Sequence, residues 1–263
     1  MPERRSSRSL RDVSHLFLSQ SRPARGAGGA GTVRVWLAAA DASPVRAHLA
    51  AGLAAALARE GMRVSLVEVC ANLPAIGYYF GMDGAEYLLP VLDRDALAGG
   101  SWNGAVEYRF SAGVAPLRAC RFEEPARGAP QAIVAAFQYP RGGGAAPFLA
   151  ALREISAGIA GGGAPDSGLP DAIVLAGGAD NVPHLMACMA ALERAYPRAA
   201  CFLASNASAR GAGTFERLPL PEDMRRSWPR RTPPAGAWFD ELAGRMLQVV
   251  SMRRRGAAGC AAE

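Results

Sequence analysis

The chain has 263 residues, of which half are apolar, and a formal net charge of +6. This composition predicts a globular protein with one large α/β domain or two small ones, and it excludes a disordered chain. No apolar run reaches the roughly 18 to 20 residues of a membrane span, and the Arg- and Ser-rich start lacks the apolar segment of a signal peptide. The five cysteines are scattered and odd in number, which predicts reduced thiols in the cytoplasm.

The composition divides the chain into three regions: a polar arm at 1–31, a main domain at 32–252 and a polar tail at 253–263. The arm ends in a glycine-rich stretch typical of flexible linkers. Within it, Leu10, Val13 and Phe17 follow the i, i+3, i+7 spacing of a short amphipathic helix. Such a helix docks either on its own domain or in the groove of a partner protein. These three side chains are therefore our candidate partner-binding residues.

Apolar runs bounded by turn residues alternate with helical periodicities along the main domain. Strands are predicted at 33–37, 63–69, 106–110, 114–119, 133–137, 172–176 and 200–205, with a short extended segment at Leu218. Helices are predicted at 45–59, 147–159, 183–196 and 234–252, and a helix with a turn at 83–100. The strands at 106–110 and 114–119 flank a Ser-Ala-Gly turn, which predicts a hairpin. The alternation predicts the α/β class, with a doubly wound, mostly parallel sheet flanked by helices.

The loop between the first strand and the first helix is the most informative segment. It runs Ala-Asp-Ala-Ser-Pro-Val-Arg-Ala at 40–47, where a strand–loop–helix unit would bind phosphate. A working loop of this kind needs glycines whose N–H groups surround phosphates, a lysine for the β- and γ-phosphates, and a hydroxyl for Mg²⁺. Here the glycines are absent, Pro44 has no N–H, and alanine stands where the hydroxyl is expected. The scaffold is kept, but the phosphate-binding groups are lost.

Residues 33–82 resemble the MinD/ParA family of P-loop ATPases, of the SIMIBI class. The helix HLAAGLAAALAREG is similar to the family's NLA-x-ALA-x-x-G, and RVSLVEVCANLPAIGYYFGM is similar to its second strand, switch segment and closing turn. More weakly, DAIVLA at 171–176, CFLASN at 201–206 and RLPLPEDMRRS at 217–227 resemble the Walker B strand, the adenine-reading strand and a segment near the nucleotide base. The resemblance runs from about 33 to 250 and implies a P-loop NTPase-like fold.

The resemblance assigns a role to each matching position, and most of these roles are lost. Asp41 and Arg46 match the family's two loop lysines, and Ala47 matches the threonine that binds Mg²⁺. Cys70 matches the carboxylate that orients the attacking water, and a thiol is a poor ligand for a hard cation. Ala176 matches the Walker B aspartate. The resemblance therefore implies a degenerate member of the family.

The other degenerate nucleotide-site positions are Ser43 in the loop, Glu68 as the first acid of the second strand, and Asn206 as the adenine-reading residue. Without the hydroxyl, the water-orienting acid and the outer carboxylate, nothing organises Mg²⁺ for phosphoryl transfer. We therefore predict a pseudo-ATPase with no catalytic residue, no metal site and no required cofactor. Binding of ATP or ADP without turnover, through Arg46 and Asn206, stays open. A divergent ATPase that uses Arg46, Glu68 and Asp180 also stays open.

Members of this family place flagella, divide cargo or assist polysaccharide and cellulose export. The resemblance thus implies a bacterial scaffold or regulator that acts through protein contacts, with a homodimer and peripheral contact at the inner membrane left open. All 29 basic residues are arginine, with clusters at 4–11, 225–231 and 253–255, so a DNA- or membrane-surface adaptor is a further alternative. Against it, the last predicted helix carries an apolar stripe that favours core packing: Trp238, Phe239, Leu242, Met246 and Val249.

Overall fold

A computed structural model describes residues 31–39, 44–70, 74–82, 90, 93, 97–114, 131–138, 144–160, 169–177, 182–205, 216–218 and 232–260. These residues belong to one compact unit, Gly31–Glu263. Leu10, Val13 and Phe17 belong to the other unit, Met1–Ala30, and lie outside the described residues, as do Asp41, Ser43, Asp180 and Asn206.

Eight strands form one sheet in the described part of the chain: β1 Val33–Ala39, β2 Val64–Val69, β3 Ala98–Trp102, β4 Val106–Ser111, β5 Ala132–Gln138, β6 Ala172–Ala176, β7 Ala200–Ala204 and β8 Glu216–Leu218. Their order is β3-β4-β2-β5-β1-β6-β7-β8. All neighbouring strands are parallel except β3 and β4, which are antiparallel. This confirms the predicted doubly wound, mostly parallel sheet.

Among the described residues, five helices accompany the sheet: α1 Pro44–Arg59, α2 Ile76–Tyr79, α3 Ala145–Ile159, α4 Val182–Ala195 and α5 Ala237–Cys260. The four longer helices cover both faces of the sheet, which is why the central strands are mostly apolar and almost entirely buried. Strand β1 illustrates the division. Val35 and Leu37 pack in the core cluster of α1 and α5, whereas Trp36 and Ala38 pack in the cluster of α3 and α4.

Helix α1 begins with a proline, whose missing N–H costs nothing at a first helical position. Most of its alanines and its leucine stripe are buried, in a core cluster shared with the sheet and α5. Gly61, at φ +84°, ends the helix in the left-handed region, and the amide of Met62 donates to the carbonyl of Leu57 at 3.2 Å. This closing turn is one that glycine favours at helix ends. It carries the chain directly into β2.

Helix α5 packs on α1, and the predicted apolar stripe is in the core. Phe239, Leu242 and Met246 are buried, while Trp238 and Val249 are partly buried against them. The helix continues to Cys260, so the boundary predicted at 252 is wrong and eight residues of the predicted tail are helical. The predicted apolar stripe ends at Val249. Sequence periodicity therefore gave no signal for them.

The predicted hairpin is wrong, because β4 pairs with the segment before it. The antiparallel partner of β4 is β3, which occupies 98–102, where the end of a helix was predicted. The turn between them contains Asn103 at φ +50° and Gly104 at φ +66°, and Asn-Gly is the preferred sequence of a hairpin turn with two such residues. Val114 lies in a bend, and 115–119 lie outside the described residues.

Arg254 connects α5 to the amino ends of the strands. Its guanidinium donates to Asp171 at 2.9 Å and to the carbonyls of Gly31 and Thr32 at 2.7 and 3.0 Å. Asp171 also accepts the backbone N–H of Arg34 at 2.8 Å. This member of the cluster at 253–255 is thus engaged within the protein. Within the described ranges, no helix is long and apolar enough to cross a membrane.

Candidate functional site at the carboxyl edge of the sheet

The parallel strands β1, β5 and β6 end at the same level. Ala39, the last residue of β1, is in register with Gln138 of β5 and with Ala176 of β6. Strand β2 runs parallel to β5 and is followed by Cys70. We call this level of the sheet, together with the first turn of α1, the carboxyl edge. In open α/β sheets, ligands bind at the carboxyl ends of the strands.

Arg46 and Glu68 meet at the carboxyl edge. Arg46 lies in the first turn of α1 and Glu68 near the end of β2, and Arg46 Nη2 donates to Glu68 Oε1 at 2.7 Å. Arg46 is 3% exposed and Glu68 is 0% exposed. A buried ion pair of this kind loses the hydration of both charges and needs further hydrogen bonds in compensation.

Glu68 obtains those hydrogen bonds from three donors. Its Oε1 accepts the backbone N–H of Ala75 at 3.2 Å, and its Oε2 accepts that of Ile76 at 3.0 Å. The Tyr108 hydroxyl, from β4, donates to Oε2 at 2.7 Å. Burial, followed by the charge and hydrogen bond of Glu68, raises the pKa of Tyr108 well above its ordinary value. The Tyr108 hydroxyl therefore stays protonated and donates a hydrogen bond to Glu68.

Arg46 is less completely satisfied. Its Nε and Nη1 atoms are buried and have no hydrogen-bond partner among the described residues. Burial on its own lowers the pKa of Arg46, but the charge and hydrogen bond of Glu68, together with the neighbouring Cys70, raise it above its ordinary value. The arginine is permanently charged, and Glu68 at 2.7 Å is the partner that balances its charge.

Cys70 lies beside this pair, and its thiol faces the side-chain amide of Gln138. Its Sγ lies 3.7 Å from Gln138 Oε1, within hydrogen-bond reach of a thiol donor. The side chain is buried and its thiol is free. Within the described residues, no three His, Cys, Asp or Glu side chains are grouped so that they could hold a metal ion.

Ala47 and Ala176 are fully buried and belong to the apolar core cluster of α1 and α5. Their methyl groups pack, and they bring neither a hydroxyl nor a carboxylate to the carboxyl edge. Of the eight degenerate positions, the structure therefore describes five: it joins Arg46, Glu68 and Cys70, and it places Ala47 and Ala176 in the core.

Sequence reasoning missed two side chains and two amides of this site: Tyr108, Gln138 and the backbone N–H groups of Ala75 and Ile76. Tyr108 carried a usable signal. It shares one buried face of β4 with Val106 and Phe110. A tyrosine in a buried apolar row needs a partner for its hydroxyl. Nothing local to the sequence marked Gln138 or the two amides, because their contacts depend on the sheet order.

Comparisons with known proteins agree with this architecture. No protein-family model matches the chain, and no curated protein matches it. Among solved structures, it is similar to the MinC:MinD cell division protein complex of Aquifex aeolicus, with 13% identity, a TM-score of 0.51, and coverage of 86% of this chain and 96% of that one.

A plasmid partition protein of Borrelia burgdorferi B31 bound to AMPPNP is also similar, with 11% identity, a TM-score of 0.50, and coverage of 85% of this chain and 100% of that one. At this level of identity the likeness concerns the fold, and it spans 85–86% of the chain. It confirms the fold that the resemblance of 33–82 implied. The chain has the fold of the MinD/ParA-like P-loop ATPases.

Proposed function

We propose that this protein is a pseudo-ATPase of MinD/ParA-like fold that acts as a scaffold or regulator through protein contacts. One observation carries the proposal. Arg46 stands where the resemblance places the phosphate-binding lysine of an active ATPase. It is buried and paired with Glu68 at 2.7 Å. Phosphoryl transfer depends on groups that neutralise charge on the phosphates and on Mg²⁺. Here the cation of the loop is already neutralised by the protein.

The neighbouring positions support the same conclusion. A buried thiol, Cys70, and two core alanines, Ala47 and Ala176, lie where an active site of this kind would supply a carboxylate, a hydroxyl and a second carboxylate. Each such group typically contributes orders of magnitude to the rate through electrostatic stabilisation. Their joint replacement by groups that cannot bind Mg²⁺ predicts that no useful hydrolysis remains.

The scaffold role is supported by the fold and by the sequence. The similar Aquifex structure is a complex of two cell division proteins, MinC and MinD, so this fold can present a surface to a protein partner. The partner would belong to machinery for spatial organisation or export, in flagellar, division or polysaccharide and cellulose systems. The protein would be cytoplasmic, and peripheral contact at the inner membrane stays open.

Hydrolysis and binding assays test the absence of ATPase activity. Purified protein with Mg²⁺ and ATP is expected to release no phosphate above a protein-free blank, and the Arg46→Ala variant is expected to behave identically. Steady turnover that Arg46→Ala abolishes would contradict the proposal and establish the divergent ATPase. Calorimetry with ADP and with ATP then separates a protein that binds nucleotide without turnover from one that does not bind it.

A second candidate, nucleotide binding without turnover, is favoured by one observation. The Nε and Nη1 atoms of Arg46 are buried with no partner among the described residues, and arginine binds phosphate oxygens well. The similar Borrelia protein binds AMPPNP. Saturable heat on titration with ADP, with no phosphate release from ATP, is the result that would select this candidate.

The arm supplies the proposed partner-binding residues, Leu10, Val13 and Phe17, on the helix-in-groove spacing. A double Leu10→Asp, Phe17→Asp variant should fold as the parent does and lose its partner in a pull-down from the native host. His15→Asp and Ser19→Asp, in the same arm but on the opposite side of the predicted helix, make the matched control. Unchanged capture by the Leu10, Phe17 variant would remove this role.

A further inference from the structure

The Glu68 carboxylate is saturated with hydrogen-bond donors. It receives one hydrogen bond from Arg46, two from the backbone amides of Ala75 and Ile76, and one from Tyr108. A carboxylate offers about four lone-pair sites. The donors come from α1, from the start of α2 and from β4, so one buried side chain connects three parts of the structure.

The same carboxylate decides what else Arg46 can bind. The guanidinium retains buried Nε and Nη1 atoms without partners in the described part of the chain, and these atoms could donate to phosphate oxygens. A phosphate seated on them would lie within a few ångströms of the Glu68 carboxylate, since that carboxylate is 2.7 Å from Nη2 of the same group. Like charges this close repel strongly when water is excluded. The site therefore has donors for a polyphosphate but no net charge with which to attract it.

We infer that Glu68 is an internal counter-ion that closes the carboxyl edge to polyphosphates by occupying and neutralising Arg46. The inference rests on the proposed function, because it explains how a fold of this class is held without a nucleotide. It goes beyond the proposed function because it names Glu68 as the residue that prevents polyphosphate binding. It implies that removing one charge, with little change of shape, converts the closed site into a polyphosphate site.

The decisive variant is Glu68→Gln, which keeps the size of the side chain and two of its acceptor sites but leaves Arg46 with an unbalanced charge. Titration with inorganic pyrophosphate, without Mg²⁺, is expected to give a Kd at least about tenfold lower for this variant than for the wild type. Glu107→Gln is the matched control, because Glu107 is a half-exposed carboxylate on β4 and its loss changes the net charge equally. The double variant Arg46→Met, Glu68→Gln should lose the gained affinity.

Each outcome of these titrations either supports or overturns the inference. A folded Glu68→Gln variant that binds pyrophosphate no better than the wild type overturns the inference, and so does an equal gain in Glu107→Gln. If Glu68→Gln does not fold alone, it is refolded with pyrophosphate: recovery of the native state supports the inference, and failure to recover it overturns the inference. Phosphate release from ATP by the wild type would instead contradict the proposed function.

The wild type offers a second readout that needs no variant. The amides of Ala75 and Ile76 are held by Glu68, so they should exchange slowly with solvent deuterium in the absence of any anion. Addition of pyrophosphate should leave their exchange rates unchanged. Fast exchange that pyrophosphate slows would mean that an external anion, and not Glu68, orders this segment, and the inference would be wrong.

Discussion

Arg46 and Glu68 form one ion pair, yet their removal should have unequal effects on stability. Replacing Glu68 by Met leaves a buried guanidinium unpaired and deprives Tyr108 and two backbone amides of their acceptor. Replacing Arg46 by Met leaves a carboxylate that still has three donors. Loss of one partner of a buried pair typically costs about 3–5 kcal/mol. We expect Glu68→Met to reach that range and Arg46→Met to cost about 2 kcal/mol less.

Urea unfolding measures both free energies of unfolding. Ser65→Ala is the matched control on the same strand, because the Ser65 hydroxyl is buried without a hydrogen-bond partner among the described residues. Its removal should change stability little or increase it, since no hydrogen bond is lost. An Arg46→Met variant as unstable as Glu68→Met, or more so, would show that the arginine and not the carboxylate organises the carboxyl edge.

The residues of this edge show what a sequence can and cannot indicate. Arg46, Glu68 and Cys70 could be placed near one another because each lies near an end of an element in a strand–loop–helix–strand unit. Their partners could not. Tyr108 approaches Glu68 only because β4 lies beside β2, and Gln138 approaches Cys70 only because β5 lies on the other side of β2. These are long-range pairings that local patterns do not encode.

Among the elements, α1 and α5 pack so closely that one glycine determines their separation. A Cβ added to Gly52 would lie 2.2 Å from Cε1 of Phe239, a distance that requires the ring or the helix to move. Overpacking of this kind typically costs about 1–3 kcal/mol, more than the roughly 0.5–1 kcal/mol that alanine gains over glycine inside a helix. Gly52→Ala should therefore lower the free energy of unfolding, measured by urea denaturation.

Two variants show whether the clash is the cause. Gly244→Ala places a methyl group on α5 with no atom within 4 Å, so it should be neutral or stabilising through helix propensity alone. Phe239→Leu, combined with Gly52→Ala, should cost less than the sum of the single changes, because the shorter side chain leaves room for the new methyl. Additive costs would mean that the two positions do not compete for the same space.

The central strands and long helices could be predicted from apolar runs and 3.6-residue periodicity. A strand that is buried on both faces of a parallel sheet is apolar along most of its length, so the sequence marks it clearly. The β3–β4 hairpin did not follow. Strand β3 is Ala-Gly-Gly-Ser-Trp, and its glycines are not typical of a strand. The signal for this hairpin lies in its turn, Asn103-Gly104, rather than in the strand. The last turns of α5 also escaped prediction, because 253–260 continue the helix beyond its apolar stripe.

For the whole molecule, buried acids with raised pKa values set the response to alkaline pH. Burial raises the pKa of Cys188 above 9.0 and that of Tyr196 above 10.0, although Arg153 opposes the latter. Burial and Glu68 raise the pKa of Tyr108 well above 10.0. In each case the folded state holds its proton to higher pH than the unfolded state. The stability they provide is complete below the unfolded-state pKa and is lost as pH rises through the folded-state value.

Tyr79 allows this linkage to be measured at one residue. Burial and the neighbouring Tyr78 raise the pKa of Tyr79 from 10.0 to about 12. Between these values the unfolded chain releases a proton that the folded protein keeps. The tyrosine should therefore lower the free energy of unfolding by up to about 1.4 kcal/mol for each pH unit above 10. Urea unfolding at intervals from pH 8 to pH 11 should show a plateau followed by a decline.

Tyr79→Phe removes the titrating hydroxyl and keeps the ring that packs against His48 at a centroid distance of 5.9 Å. Its stability should decline less steeply above pH 10 than that of the wild type, and the two curves should run parallel below pH 9. Tyr78→Phe is the matched control, because it removes a partly buried hydroxyl and only the smaller cause of the raised pKa of Tyr79, so most of the steep decline should remain. Parallel curves for wild type and Tyr79→Phe up to pH 11 would show that this buried tyrosine does not couple folding to pH.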